Sequence, residues 1–146
     1  YKNTGLGGGA PDKATAEVEA WQDTEKGLVA EVRISSAEMG QGLPGVLASC
    51  AAEELGIATE NVNVLLGDTD ICPDGGPTTA SRQTFVSGNA ARHAARDAAQ
   101  LLADDLAEGY ASDGGLSLTL RISDLCTDPW TILAESEPAD TEAAQV

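Results

Sequence analysis

The stretch AEVRISSAEMGQGLPGVLASCAAEEL, residues 30–55, changes its hydrophobic period from two to about 3.6 across a glycine-containing break. At its start apolar residues alternate with charged ones, which is typical of a half-buried strand. From Leu43 the apolar positions recur every three or four residues, and Pro44 fits a first helical turn, where its missing N–H costs nothing. The stretch therefore predicts a strand, a break over Ser35–Gly42, and a helix that ends at Gly56.

The flanking segments continue the pattern in both directions. Ala14–Trp21 alternates as the strand after it does, so the two segments are predicted to pair as an antiparallel hairpin across Gln22–Gly27. Farther along, the periods predict a third strand over Val62–Leu66, a second helix over about Gly88–Glu108 and a fourth strand over Leu116–Ile122. The predicted fold class is α+β, a two-layer domain with a mixed or antiparallel sheet of about four strands packed with two helices.

Composition limits the partners and the compartment. The 146 residues include 24 acidic and 8 basic side chains, a formal net charge of −16, which argues against nucleic acid and anionic membranes as partners. Solubility alone accounts for such a charge, and so does a cytoplasm of high salt concentration. No apolar run approaches the roughly 20 residues of a membrane span. The three cysteines lack CxxC spacing, so we expect reduced thiols and a cytoplasmic location.

Two regions are expected along the chain. Residues 1–133 are predicted to form one subdomain. Residues 134–146 are acidic, rich in alanine and without a basic side chain, which predicts a disordered tail. Because the sequence begins with Tyr1 and not with methionine, we expect it to be a fragment or a processed product of a longer protein.

The first of three glycine-rich loops, Gly5–Ala10, formally matches the GxGxxA fingerprint of dinucleotide-binding folds. That motif requires a strand before it and a helix directly after it. Pro11 and then a strand pattern follow instead, so we interpret this loop as a flexible or close-packing backbone segment.

The other two loops carry the candidate binding groups. Ser36–Leu43 leads into the first predicted helix, whose N-terminal N–H groups bind anions readily, although an ordinary turn would look much the same. Gly67–Ala90 concentrates hydroxyl and amide side chains around Arg82, and these are the groups that a phosphate needs from an otherwise anionic protein. A polar turn capping the second helix explains one or two of these side chains but not so many.

Taken together, the two loops match a known family pattern. The segments are EMGQGL at 38–43, GDT at 67–69, GPTTASRQT at 76–84 and SGNA at 87–90. In this order and spacing they resemble the molybdenum-binding large subunit of the xanthine dehydrogenase and aldehyde oxidase family. The resemblance covers residues 1–106.

The resemblance implies a molybdenum-molybdopterin cofactor. One set of residues would meet the pterin and the surroundings of the metal, and a second set would hold the cofactor's phosphate. The bacterial and archaeal form of residues 80–84 implies the cytosine dinucleotide form, with the arginine serving its extra phosphate. The implied cofactor-binding residues are Met39, Gly40, Gln41, Gly42, Thr78, Ser81, Arg82, Gln83 and Thr84.

The resemblance also implies partners. Family members hydroxylate a heterocycle or an aldehyde and pass electrons through iron–sulfur clusters and often FAD, which here would lie in partner domains or subunits beside the remainder of the large subunit. The family's catalytic base is a glutamate in a glycine-rich loop, and this sequence has no counterpart of it. We therefore assign no catalytic or metal-ligating residue and expect no catalysis by the chain alone. A stand-alone pterin carrier and a non-catalytic packing domain are the alternatives.

Overall fold

A computed structural model describes residues 12–107 of the chain. The Gly5–Ala10 loop, the predicted strand Leu116–Ile122 and the predicted tail at 134–146 lie outside these residues. Within them, the chain forms a three-stranded sheet and two α-helices, which confirms the predicted α+β class.

The sheet is mixed. Strand β1 (Glu17–Asp23) pairs antiparallel with β2 (Gly27–Ile34), and β2 pairs parallel with β3 (Val62–Leu66), so that β2 is central. The hairpin of β1 and β2 is thus confirmed. It turns through residues 24–26, where the Asp23 carboxylate accepts the N–H groups of Glu25 and Lys26 (2.9 Å each).

The start of β1 differs from the prediction. The alternation does extend back to the buried Ala14 and Ala16, but ladder pairing begins only at Glu17. The reason is that the Thr15 N–H donates to the carbonyl of Asp74 (2.8 Å), which lies in the loop that follows residue 66, and not to a neighbouring strand. This segment therefore connects the sheet to that loop.

Both helices pack on one face of the sheet, and their bounds agree with the prediction. They are α1 (Leu43–Leu55) and α2 (Gly88–Ala107), and α1 ends with Gly56 in the left-handed region, its N–H donating to Ala52. Where the helices meet, the core is made mostly of small side chains, which lets the backbones approach closely. The buried alanines of the two helices are Ala48, Ala51, Ala52, Ala90, Ala91, Ala94, Ala95 and Ala98.

The entry into α2 is not simple loop. Residues Gln83–Ser87 form one turn of π-helix that runs directly into α2, whereas the sequence predicted loop as far as about Thr84. Such turns are rare and occur frequently at functional sites. Within this turn Gln83 and Ser87 point into the domain, while Thr84 between them is exposed. No helix in residues 12–107 has both the length and the apolar character that crossing a membrane requires.

Candidate functional site

The two glycine-containing loops meet at an open groove with a volume of about 370 Å³. Met39 and Gln41, from the loop between β2 and α1, form one side. The segment from Thr78 to Thr84 forms the other. The structure thus brings together most of the residues that the resemblance implies, namely Met39, Gln41, Thr78, Ser81, Gln83 and Thr84.

Thr78 joins the two sides of the groove. Its Oγ1 accepts the N–H of Ala37 (2.9 Å) and a hydrogen of the Gln83 amide (3.2 Å). A hydroxyl oxygen accepts two hydrogen bonds and donates one. Because both acceptor positions of Thr78 are used, its own hydrogen is left to donate to a third group in the groove that it lines.

Gln83 braces the site from within. Its side-chain nitrogen donates to the carbonyl of Pro77 and to Thr78 (both 3.2 Å), and its side-chain oxygen accepts the Ser87 hydroxyl (2.6 Å). Only 8% of Gln83 is exposed, and Ser87 in turn lies 3.5 Å from the Ser36 hydroxyl on the opposite loop. These contacts of the Gln83 side chain hold the two loops in register, and Gln83 also lines the groove.

Arg82 lies inside the domain and not in the groove. Its side chain is 0% exposed; Nε pairs with the carboxylate of Asp12, Nη1 donates to the carbonyls of Gly75 and Pro77 (2.9 Å each), and Nη2 donates to that of Lys13 (2.6 Å). Four donor contacts leave the guanidinium committed to protein oxygens. Arg82, which the resemblance implied as a phosphate ligand, thus directs these donors to carbonyls at the bends of its own loop and does not line the groove.

The turn before Arg82 is strained. Ala80 and Ser81 have φ values of 50° and 56°, in the left-handed region that non-glycine residues avoid at a cost of about 1–2 kcal/mol each. Strain of this kind persists only when the surroundings hold it, and it concentrates at functional sites. Here both residues line the groove, between the anchors Thr78 and Arg82. The strain therefore shapes the groove wall.

Glu38 supplies an internal anion at the start of α1. Its carboxylate accepts the N–H groups of Gly40 (2.6 Å), Gly42 (3.1 Å) and Leu43 (2.6 Å), and the next residue, Pro44, has none. The helix N-terminus that the sequence offered to an external anion is thus satisfied by the chain itself. The hydroxyl groups of the groove lie on the opposite side, at Thr78, Thr79, Ser81 and Thr84.

Comparison with known proteins decides the family. Residues 1–119 match the model of the molybdopterin cofactor-binding domain. The chain belongs to this family. The cofactor-binding domain is 40% identical over 85 residues to subunit gamma of the 6-hydroxypseudooxynicotine dehydrogenase complex of Paenarthrobacter nicotinovorans, an alignment covering 56% of this chain and 11% of that protein.

The alignment with a second curated relative is shorter. The domain is 41% identical over 49 residues to a probable xanthine dehydrogenase subunit of Bacillus subtilis (strain 168), covering 34% of this chain and 7% of that protein. The chain therefore corresponds to a small part of the length of either relative. Their names describe whole subunits, of which this domain is similar to one region.

Solved structures show the same similarity. The domain matches the Cu,Mo-containing CO dehydrogenase in its carbon monoxide reduced state, and the reconstituted CO dehydrogenase from Oligotropha carboxidovorans. Each match has a TM-score of 0.50 and 30% sequence identity, and each covers 65% of this chain and 12% of the solved chain. The fold of the described residues is thus that of a segment within these enzymes.

The Met39–Gln41 side of the cofactor-binding domain leaves its backbone accessible. Met39 is 72% exposed, and the Gln41 amide folds back onto its own loop, accepting the Met39 N–H (2.6 Å) and donating to Ala37 (2.8 Å). Gly40 and Gly42 have φ values of 97° and 76°, and among the described residues nothing lies within 4 Å of a Cβ placed on either. A planar ring has room to approach this backbone.

Replacement of Gly76 tests how rigidly the contacts of Arg82 hold the loop around residues 75–77. A Cβ on Gly76 would lie 2.7 Å from the Lys13 carbonyl oxygen and 2.9 Å from Nη2 of Arg82. Gly56 has the same φ of 67° with open space around it, so Gly56→Ala carries the backbone cost alone. We expect Gly76→Ala to lower the free energy of unfolding by at least about 2 kcal/mol more than Gly56→Ala, as measured by urea denaturation. Equal losses would contradict a rigid Arg82 cluster.

The capping role of Glu38 predicts a pH dependence. Desolvation acts to raise the pKa of its carboxyl, but the hydrogen bonds from Gly42, Leu43 and Gly40 outweigh it and hold the pKa below the ordinary value. A pKa lowered by folding contributes stability above the unfolded-state pKa, about 4.3, and loses it as the pH falls through the folded pKa. We therefore expect stability to fall less steeply below about pH 4.5 in Glu38→Gln than in the unmodified domain, in urea titrations at several pH values. Parallel curves would argue against this role.

Proposed function

We propose that the groove is one wall of a molybdenum-molybdopterin site in the large subunit of a molybdenum-dependent hydroxylase or dehydrogenase. The observation that carries the proposal is the meeting of two loops, distant in sequence, in one groove whose facing sides offer open backbone and hydroxyl donors. Membership of the cofactor-binding family supports it.

The groove residues fit the two ends of such a cofactor differently. The side formed by Met39 and Gln41, with accessible backbone at Gly40 and Gly42, suits a flat pterin rich in heteroatoms. The opposite side has the free O–H of Thr78 and the hydroxyls of neighbouring residues, which suit phosphate oxygens. The other hydroxyls lining the groove are those of Thr79, Ser81 and Thr84.

Binding and orientation are the proposed roles of this chain. The molybdenum-pterin group, when bound, supplies the redox chemistry of the reaction. Gln83 and Arg82 act indirectly, by fixing the loop that carries Thr78 and Ser81. We propose that the chain is not catalytic alone, because the glycine-flanked glutamate expected as base has no counterpart in its sequence.

The assembly is a proposal as well. The chain corresponds to 11% and 7% of two curated relatives, both named as subunits, so we propose that the rest of a large subunit and iron–sulfur and flavin domains or subunits complete the enzyme. We propose a cytoplasmic location together with this assignment. The form of residues 80–84 supports the cytosine dinucleotide cofactor, whose extra phosphate would have to find a group other than the buried Arg82.

A binding titration tests the proposed function. The full chain is titrated into oxidised, phosphate-bearing molybdopterin, and binding is followed by pterin fluorescence. We expect saturable binding that weakens in Ser81→Ala and Gln41→Ala and is unchanged in Glu60→Gln, whose side chain lies in a different concavity. Absence of binding by the folded chain, or equal binding by all variants, would overturn the proposal and favour a packing domain. Retention of the pterin through gel filtration would favour the carrier alternative.

A further inference from the structure

Every arginine that the structure describes is engaged with carboxylates of the same chain. Arg33 lies among three glutamates of the sheet at 2.5–3.0 Å, and two arginines of α2 share one glutamate of α1. The fourth is the buried Arg82. The pairs are Arg33 with Glu17, Glu19 and Glu31, Arg82 with Asp12, and Arg92 and Arg96 with Glu54.

The groove is correspondingly lined by uncharged side chains. Within the described residues, its two sides present a thioether, a methyl group, amides and hydroxyls, and no lysine or arginine. Lys26 lines another concavity, at the hairpin turn. Glu38 adds a negative charge next to the groove, since it directly precedes Met39 and its carboxylate contacts the backbone around Gln41. On the other side Arg82 lies behind the lining residues and is paired with Asp12. An anion in this groove thus meets neutral donors close by and the field of a chain of net charge −16.

Salt acts on these two interactions unequally. Hydrogen bonds to neutral donors are short-ranged and change little with ionic strength, whereas repulsion across the molecule is screened once the Debye length falls below molecular dimensions. That length is about 30 Å at 0.01 M and about 8 Å at 0.15 M salt. A phosphate site built from lysine and arginine loses affinity as salt is added. A neutral site in a strongly negative protein gains affinity for phosphate as salt is added.

We propose that salt strengthens the binding of the phosphate-bearing pterin to this chain, because the groove binds an anion without a cation of its own. The inference rests on the proposed function and concerns the regulation of the same site. For a doubly charged phosphate and the net charge of the chain, screening between about 10 mM and 150 mM KCl raises affinity on the order of tenfold.

The test measures dissociation constants by pterin fluorescence from about 10 mM to 1 M KCl, with circular dichroism confirming the folded state at each concentration. Two probes are compared: oxidised molybdopterin with its phosphate, and the same pterin after enzymatic removal of the phosphate. We expect affinity for the first to rise about tenfold up to 150 mM KCl, and affinity for the second to stay constant.

A charge variant supplies the matched control. Glu25, Glu53 and Glu60 are exposed and do not line the groove, so their joint replacement by glutamine removes charge without touching the site. The triple variant should bind the phosphate-bearing probe about twofold more tightly at low salt, and equally at 1 M.

The other outcomes separate the two proposals. Affinity that falls with salt would overturn the salt inference and leave the proposed function standing. An equal rise for both probes would also overturn it, since salt would then act on the fold and not on the phosphate. Absence of binding at every salt concentration by the folded chain would overturn the proposed function itself.

Discussion

Replacing Arg82 with methionine is expected to lower the free energy of unfolding of the full chain by about 3–5 kcal/mol. The substitution keeps much of the aliphatic volume but removes the partner of Asp12, which is buried and whose Oδ2 already has no hydrogen-bond partner among the described residues. It also removes donors from the carbonyls of Gly75, Pro77 and Lys13. An uncompensated buried carboxylate makes the loss large. Urea denaturation followed by circular dichroism measures it.

Arg96→Met is the matched control. Arg96 is also bonded to a carboxylate, Glu54, at 3.0 Å, but its side chain is 52% exposed where that of Arg82 is 0%. Exposed pairs contribute little, so the control should lose less than about 1 kcal/mol. Equal losses in the two variants would show that burial of Arg82 does not decide stability. A partial rescue of Arg82→Met by adding Asp12→Asn would localise the cost to the unpaired carboxylate.

The fold was readable from sequence because its signals are local. The change of period at Leu43, the stop at Gly56 and the alternation through β2 each depend on residues adjacent in the chain, and the structure confirms them. The start of β1 was predicted wrongly because it is set by a contact between residues far apart in sequence. β1 begins late because Thr15 bonds to Asp74, 59 positions away in sequence, and alternation alone gives no indication of such a bond.

The site divides in the same way. Glycines and hydroxyls identified the two loops, and six of the nine residues predicted to bind the cofactor line one groove, Gln83 among them. Arg82 does not line the groove and pairs with Asp12. A scarce cation in a polar loop predicts an anion site only if nothing inside the fold needs it first. Here the buried carboxylate of Asp12, 70 positions earlier in the chain, pairs with Arg82, and no rule of sequence spacing predicts that pair. Glu38 was detectable, since a carboxylate shortly before a helix start is a capping signal.

Thr78→Val is expected to weaken binding of phosphate-bearing molybdopterin by about tenfold or more. The change is nearly isosteric, but it removes the oxygen that accepts both the Ala37 N–H and the Gln83 amide, and with it the hydrogen left to donate in the groove. Losing one hydrogen bond to a charged group corresponds to about 1.5–3 kcal/mol, or roughly 10- to 150-fold in affinity. Water satisfies the exposed N–H of Ala37, but the buried Gln83 amide loses an acceptor, which should cost about 1–3 kcal/mol of stability besides.

Thr78→Ser and Thr84→Val distinguish the hydroxyl of Thr78 from the groove in general. Serine keeps one donor and two acceptor positions, so affinity should return to within about threefold of the unmodified chain. Thr84 lines the same groove and is exposed, but the bridge between the loops does not pass through it, so its valine variant should keep both stability and most of the affinity. If Thr84→Val weakened binding as much as Thr78→Val while the fold stayed intact, affinity would depend on the general polarity of the groove and not on the position of the Thr78 hydroxyl. Because Thr78 holds both loops, only its variant should lose affinity and stability together.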